Sequence, residues 1–119
     1  TYRAFAAVRA DGSVVTWGDE NYGGDSSAVQ DQLAGIQHIY STYRAFAAVK
    51  VDGSVATWGD AECGGDSSAV QDQLTSVQHI YSTKGAFAAV KADGSVSSVI
   101  TWGRDDYGGN SGDVQEVPS

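Results

Sequence analysis

The chain has 119 residues, enough for one hydrophobic core. It sets fifteen acidic side chains against seven basic ones, and the formal net charge of −8 repels a nucleic-acid backbone and removes DNA and RNA from the partner list. Its single cysteine, Cys63, cannot form an internal disulfide, and no apolar run approaches the roughly 18 residues of a membrane-spanning helix.

Fifteen glycines, one proline and regularly spaced aromatic and β-branched residues are the composition of short strands joined by tight turns, so the class is all-β. In chain order, Ala4–Ala10 reads as a strand, Asp11-Gly12 as a hairpin turn, and Ser13–Trp17 as the returning strand, ended by Gly18. A polar loop, Asp19–Tyr22, leads to Gly23-Gly24-Asp25-Ser26-Ser27, read as a turn or a very short edge strand. Val29 and Leu33, four apart, make Ala28–Leu33 a single helical turn with Ser26 or Ser27 as its cap. Ile36–Ser41 is an aromatic and β-branched strand.

The same order then repeats. Thr1–Val8 returns as Thr42–Val49 and, altered at its start, as Thr83–Val90, and 32 of the first 41 positions are identical in the second copy. The units are 1–41, 42–82 and 83–119. In the third, Ser97-Ser98-Val99 are additional, which calls for a bulge or a longer hairpin, and the closing Ile-Gln-His-Ile-Tyr strand is missing. A unit of this kind cannot bury both faces alone, so the units stack as the blades of an incomplete propeller-like ring. Ala4, Ala6, Ala7 and their copies are assigned to a crowded inner rim. Phe5, Phe46 and Phe87, with Trp17, Trp58 and Trp102, are assigned to the space between blades.

These residues, Ala-Phe-Ala-Ala-Val, Asp-Gly-Ser-Val, Thr-Trp-Gly and a Gly-Gly loop, resemble the regulator of chromosome condensation repeat. The resemblance implies a β-propeller, usually of seven blades. Its units are similar in length to those of compact bacterial propellers, including a β-lactamase inhibitor protein, and its Gly-Gly-Asp-Ser-Ser loops are similar to those of large repeat proteins of unicellular algae. The chain departs in carrying Gly23-Gly24-Asp25-Ser26 where that family has Gly-Gln-Leu-Gly, and in having three units. The family's members include exchange factors, inhibitors and recruiting subunits, so the resemblance implies a fold more than a function.

Three blades leave apolar faces at both ends, and a protein partner or further chain is expected to cover them, with self-association into a ring as the other route. The chain begins at Thr1 and has no methionine, so it reads as a processed product or part of something longer. No compartment is specified. The leading functional reading is a non-enzymatic protein-binding or scaffolding module needing no cofactor, an accessory subunit or fragment of a larger assembly. Its interface residues are Tyr2, Arg3, Tyr22, Tyr43, Arg44 and Tyr107, types common among interface anchors, against the plainer reading of blade edges. An alternative is a calcium- or glycan-binding propeller with one site per blade, through Asp19, Asn21, Asp25, Asp60, Glu62 and Asp66, against solvated turns held by Asx-type hydrogen bonds. A further alternative, drawn from the algal resemblance, is a peripheral subunit of an organellar, photosynthetic membrane complex. His38 and His79, one repeat apart, lack a third ligand for zinc and read as strand histidines. Cys63 replaces Tyr22 and Tyr107 at a loop position and reads as a tolerated change rather than a nucleophile.

Overall fold

The computed structural model describes residues 1, 3–93, 96–104 and 116–118. The protein is all-β, a three-bladed, propeller-like segment that does not close into a ring, with no α-helix among the described residues. The strands are β1 (Ala4–Val8), β2 (Val14–Gly18), β3 (Ile36–Ser41), β4 (Ala45–Lys50), β5 (Val55–Gly59), β6 (Val77–Ser82), β7 (Ala86–Asp93), β8 (Val96–Gly103) and β9 (Glu116–Pro118). They form three antiparallel sheets, β1-β2, β3-β4-β5 and β6-β7-β8-β9.

Sheets and sequence units are out of phase. The strand that ends the first unit, β3, pairs with β4 of the second, and β6 likewise pairs with β7 of the third. The second and third blades therefore each join two units through main-chain hydrogen bonds, whereas the first sheet is β1-β2, both from the first unit. The Asp-Gly turns close the first two hairpins as their local chemistry dictates. Asp11 Oδ1 accepts the Ser13 N–H at 3.0 Å and the Ser13 hydroxyl at 2.6 Å, and Asp52 does the same for Ser54.

The core is two layers, each filling the gap between neighbouring sheets. Strand alternation sends Phe46 and Ala48 of β4 toward the first sheet, to meet Ala4, Val14, Leu33 and Ile36, while Ala45, Ala47 and Val49 face the third sheet, with Val77, Phe87, Ala89 and Trp102. The expected inner-rim position of the alanines gives way to a central one. β4 is the middle strand of its sheet, and Ala45, Ala47 and Ala48 are fully buried because sheets press on both faces.

The extra residues of the third unit lengthen its hairpin. β7 and β8 pair in unbroken register from Ala86↔Gly103 to Asp93↔Val96, so Val99 opposes Val90 as Val14 opposes Val8 and Val55 opposes Val49. The sequence places the additional residues at Ser97-Ser98-Val99, but register aligns Val99 with Val14 and Val55 and so puts the extra positions at Val96–Ser98, along which β9 pairs.

The Gly-Gly loops run along the outer strands. Gln30 Oε1 accepts the Ser26 hydroxyl at 3.1 Å, Ser26 and Thr16 hydroxyls lie 2.9 Å apart, and Gln30 Nε2 donates to the Val14 carbonyl at 3.4 Å. Ser67, Thr57, Gln71 and Val55 repeat this set. The stretch expected to be a helical turn is 3-10 over Ser27–Gln32, and its first N–H is capped by Asp25, not by a serine: Asp25 Oδ1 accepts the Ser27 N–H at 2.9 Å. Ser26 is buried and committed to Thr16 and Gln30 instead.

Candidate functional site

The seam between blades is built from one pair of rings and one glycine. In β4 and β5, Phe46 and Trp58 are directly opposed across the strands and stack at 5.3 Å, both 4% exposed. The loop of the preceding unit closes on them. A Cβ on Gly23 would stand 2.5 Å from the Phe46 ring, and Trp58 Nε1 donates to the Gly23 carbonyl at 3.1 Å. Phe87, Trp102 and Gly64 repeat the arrangement with the same two distances. Only glycine serves at these two positions, since φ is +99 at Gly23 and +102 at Gly64 and the ring leaves no room for a side chain.

β1 and β2 carry the same pair, here largely exposed among the described residues. Phe5 and Trp17 stack at 5.5 Å yet are 63% and 50% exposed. Ala7 and Val15, opposed in register, extend the platform, and among the described residues the Trp17 indole N–H meets no carbonyl. The rings were expected between blades, and at the first blade they form an open end.

The predicted interface residues fall partly together at the edge of the first seam. Two guanidinium groups approach the Tyr22 ring, Arg3 at 5.5 Å and Arg44 at 5.0 Å from its centroid, and Arg44 also reaches Asp60 at 3.5 Å. Tyr43, half exposed, has the Lys84 ammonium 5.7 Å from its ring centre. Tyr2 and Tyr107 lie outside the described residues. Arg44 joins the first unit's loop to the second's, so this cluster is a clasp across the seam as well as a surface.

The carboxylates considered for calcium are occupied in turn geometry. Asp19 and Asp60 each accept the N–H two residues on, at Asn21 and Glu62, and Asp25 and Asp66 do so at Ser27 and Ser68, all at 2.9 Å. Hydrogen bonds from Ser27 and Ser68 hold the Asp25 and Asp66 carboxyls below the usual range. Among the described residues no three His, Cys, Asp or Glu side chains are grouped as a metal site. His38 and His79 are separated by a phenol. The Tyr40 ring contacts both, tilted against His38 at 4.6 Å and edge-on to His79 at 5.1 Å, with its hydroxyl 3.2 Å from His79 Nδ1. Cys63 is buried, and burial followed by the nearby Asp60 carboxylate pushes its thiol up, which disfavours the nucleophilic thiolate.

An open cleft of about 560 Å³ lies where the units begin, lined by Thr1, Thr42, Thr83, Ser41, Ser82, Tyr43 and Lys84. Among the described residues hydroxyls and the Lys84 ammonium line it, and no carboxylate does. The repeating Thr at 1, 42 and 83 was visible in the sequence, but only the fold brings the three together. No helix among the described residues is long and apolar enough to cross a membrane. Neither a protein-family model nor a curated protein matches the chain.

Proposed function

We propose that the protein is a non-enzymatic binding or scaffolding module whose working surface is the open end of its first blade. The observation that carries this reading is the Phe5–Trp17 pair. Its two counterparts are 5% exposed or less, while it stands more than half exposed on one ring and half exposed on the other. A stacked Phe-Trp pair with an unused indole donor is an anchor of the kind that dominates protein interfaces, large, apolar and able to make one directed hydrogen bond. The Arg3–Tyr22–Arg44 cluster adds a charged, aromatic rim beside it. The engaged carboxylates and the protonated, buried Cys63 support a binding role over a chemical one.

A photo-crosslinking residue placed at position 17, with the exposed Gln37 position as control, tests this in the native extract. Discrete protein adducts at 17 and none at 37 are expected. Equal labelling at both positions, or none at 17, would remove the reading.

A further inference from the structure

Independently of the binding reading, we propose that Asp11-Gly12 and Asp52-Gly53 are sites of isoaspartate formation, a covalent rearrangement of the main chain, and that the hydrogen bonds of the folded turns hold it in check. An Asp followed by Gly is prone to this reaction, because no Cβ on the second residue shields its amide nitrogen. In the first turn, the Gly12 nitrogen bonds to Asp11 Cγ, its proton goes to solvent, and a carboxyl oxygen leaves as water, closing a five-membered succinimide. Water then adds at the main-chain carbonyl carbon of Asp11 and breaks the bond from that carbon to the Gly12 nitrogen. The chain now runs through the side-chain carbon, with one more backbone atom and no change in mass.

Both reacting groups are committed elsewhere in the folded turns. The Gly12 N–H donates to the Arg9 carbonyl and the Gly53 N–H to the Lys50 carbonyl, each at 2.9 Å. Oδ1 of each aspartate accepts the serine N–H at 3.0 Å and the serine hydroxyl at 2.6 Å. These bonds favour the ionised carboxylate, the form whose oxygen leaves least readily, and hold both groups below the usual range. Both aspartates are exposed, so the water of the second step is at hand. Asp93-Gly94-Ser95 repeats the sequence, and Gly94 and Ser95 lie outside the described residues.

What hangs on these turns is the seam between blades. The Gly12 carbonyl accepts the Ile36 N–H and the Gly53 carbonyl accepts the Val77 N–H, both at 3.0 Å. Ile36 and Val77, each 5% exposed, belong to the two core layers. The fit is close: a Cβ on Gly53 would stand 2.9 Å from Ser76 Cα, and one on Gly12 3.2 Å from Gly35 Cα. An extra backbone atom here displaces the glycine carbonyl and releases the start of the strand that fills the seam. A surface rearrangement thus takes effect in the core.

The test incubates the purified chain, folded and in guanidinium chloride, in warm, mildly acidic buffer. Isoaspartate is counted by enzymatic methylation of its free α-carboxyl and located by electron-transfer fragmentation. Positions 11 and 52 should convert at least about tenfold faster in the unfolded chain, the factor set by one hydrogen bond to a charged group. Ser54→Ala, with an unchanged circular dichroism spectrum, should speed conversion at 52 several-fold while position 11 of the same chain keeps its folded rate. Asp52→Glu, one carbon too long for the five-membered ring, should show none at 52. The converted chain should unfold at a lower denaturant midpoint. Equal conversion in folded and unfolded chains, no conversion in either, or a folded Ser54→Ala chain in which 52 converts no faster than 11 would overturn the proposal.

Discussion

Ser76 occupies φ 55, in the left-handed region, where the preceding unit has Gly35 at φ 65. Holding an L-residue there costs about 1–2 kcal/mol, against about 0.5–1 kcal/mol of extra chain entropy that a glycine loses on folding. Ser76→Gly therefore gains up to about 1.5 kcal/mol, read as a higher urea midpoint with unchanged slope. Ser13 and Ser54 hydrogen bonds hold the Asp11 and Asp52 carboxyls below the usual range, and both groups are solvent-exposed. Since the folded value is the lower one, what these bonds contribute is complete above the ordinary carboxylate pKa of about 3.9 and is lost as pH falls through the depressed folded value. Carboxyl-carbon NMR titration should give both residues midpoints below the ordinary value, and Ser54→Ala should raise that of Asp52. Such turns are legible in a sequence because all their partners lie within two residues. The cap at Ser27 was not, because Ser26, a residue well suited to capping, is claimed by Thr16 ten residues away.

At the scale of elements, the strands were legible and their partnerships were not. Alternation and β-branching mark Ile36–Ser41 as a strand whatever it pairs with, but its pairing with β4 belongs to the next unit, so a boundary at 41 cuts through a sheet. The Phe-Trp pairs were legible as filling between blades, since rings of that size have no other place in an alanine-rich stack. The glycine they rest on was read as a turn residue only, because contact between loops and rings 23 residues apart leaves no local trace. Two substitutions measure this seam. Trp58→Phe keeps the stacking but leaves the Gly23 carbonyl unpaired, at a cost of about 1–3 kcal/mol in chemical denaturation. Gly64→Ala meets both a positive φ and the Phe87 ring, and should cost about 1–2 kcal/mol for the backbone and about 1–3 kcal/mol for the overpacking.

For the molecule as a whole, stability is set by how many neighbours each blade has. The second blade is covered on both faces and the first on one, with two strands in place of three. In dilute solution the amides of β1 and β2 should exchange with deuterium before those of β4 and β5, as hydrogen exchange read by mass spectrometry will resolve; uniform exchange across the array would contradict this. The repeat shows how many units this sequence holds, yet not which of their residues stand on an outer face. Register decides that, and register becomes visible only when strands from different units are paired.

The lengthened third hairpin bears on solubility. Its extra stretch, Val96–Ser98, prolongs β8 beyond the length of β2 and β5, and a longer strand offers a longer row of main-chain donors and acceptors on its free edge. β9 lies along that added row and pairs Glu116, Val117 and Pro118 with Ser98, Ser97 and Val96. The proline supplies no amide proton for a further strand to accept, which makes it a natural stop for edge-to-edge growth. Insertion and β9 thus form one device, in which the chain lengthens an edge and shields it with a strand of its own against templating by unfolded neighbours.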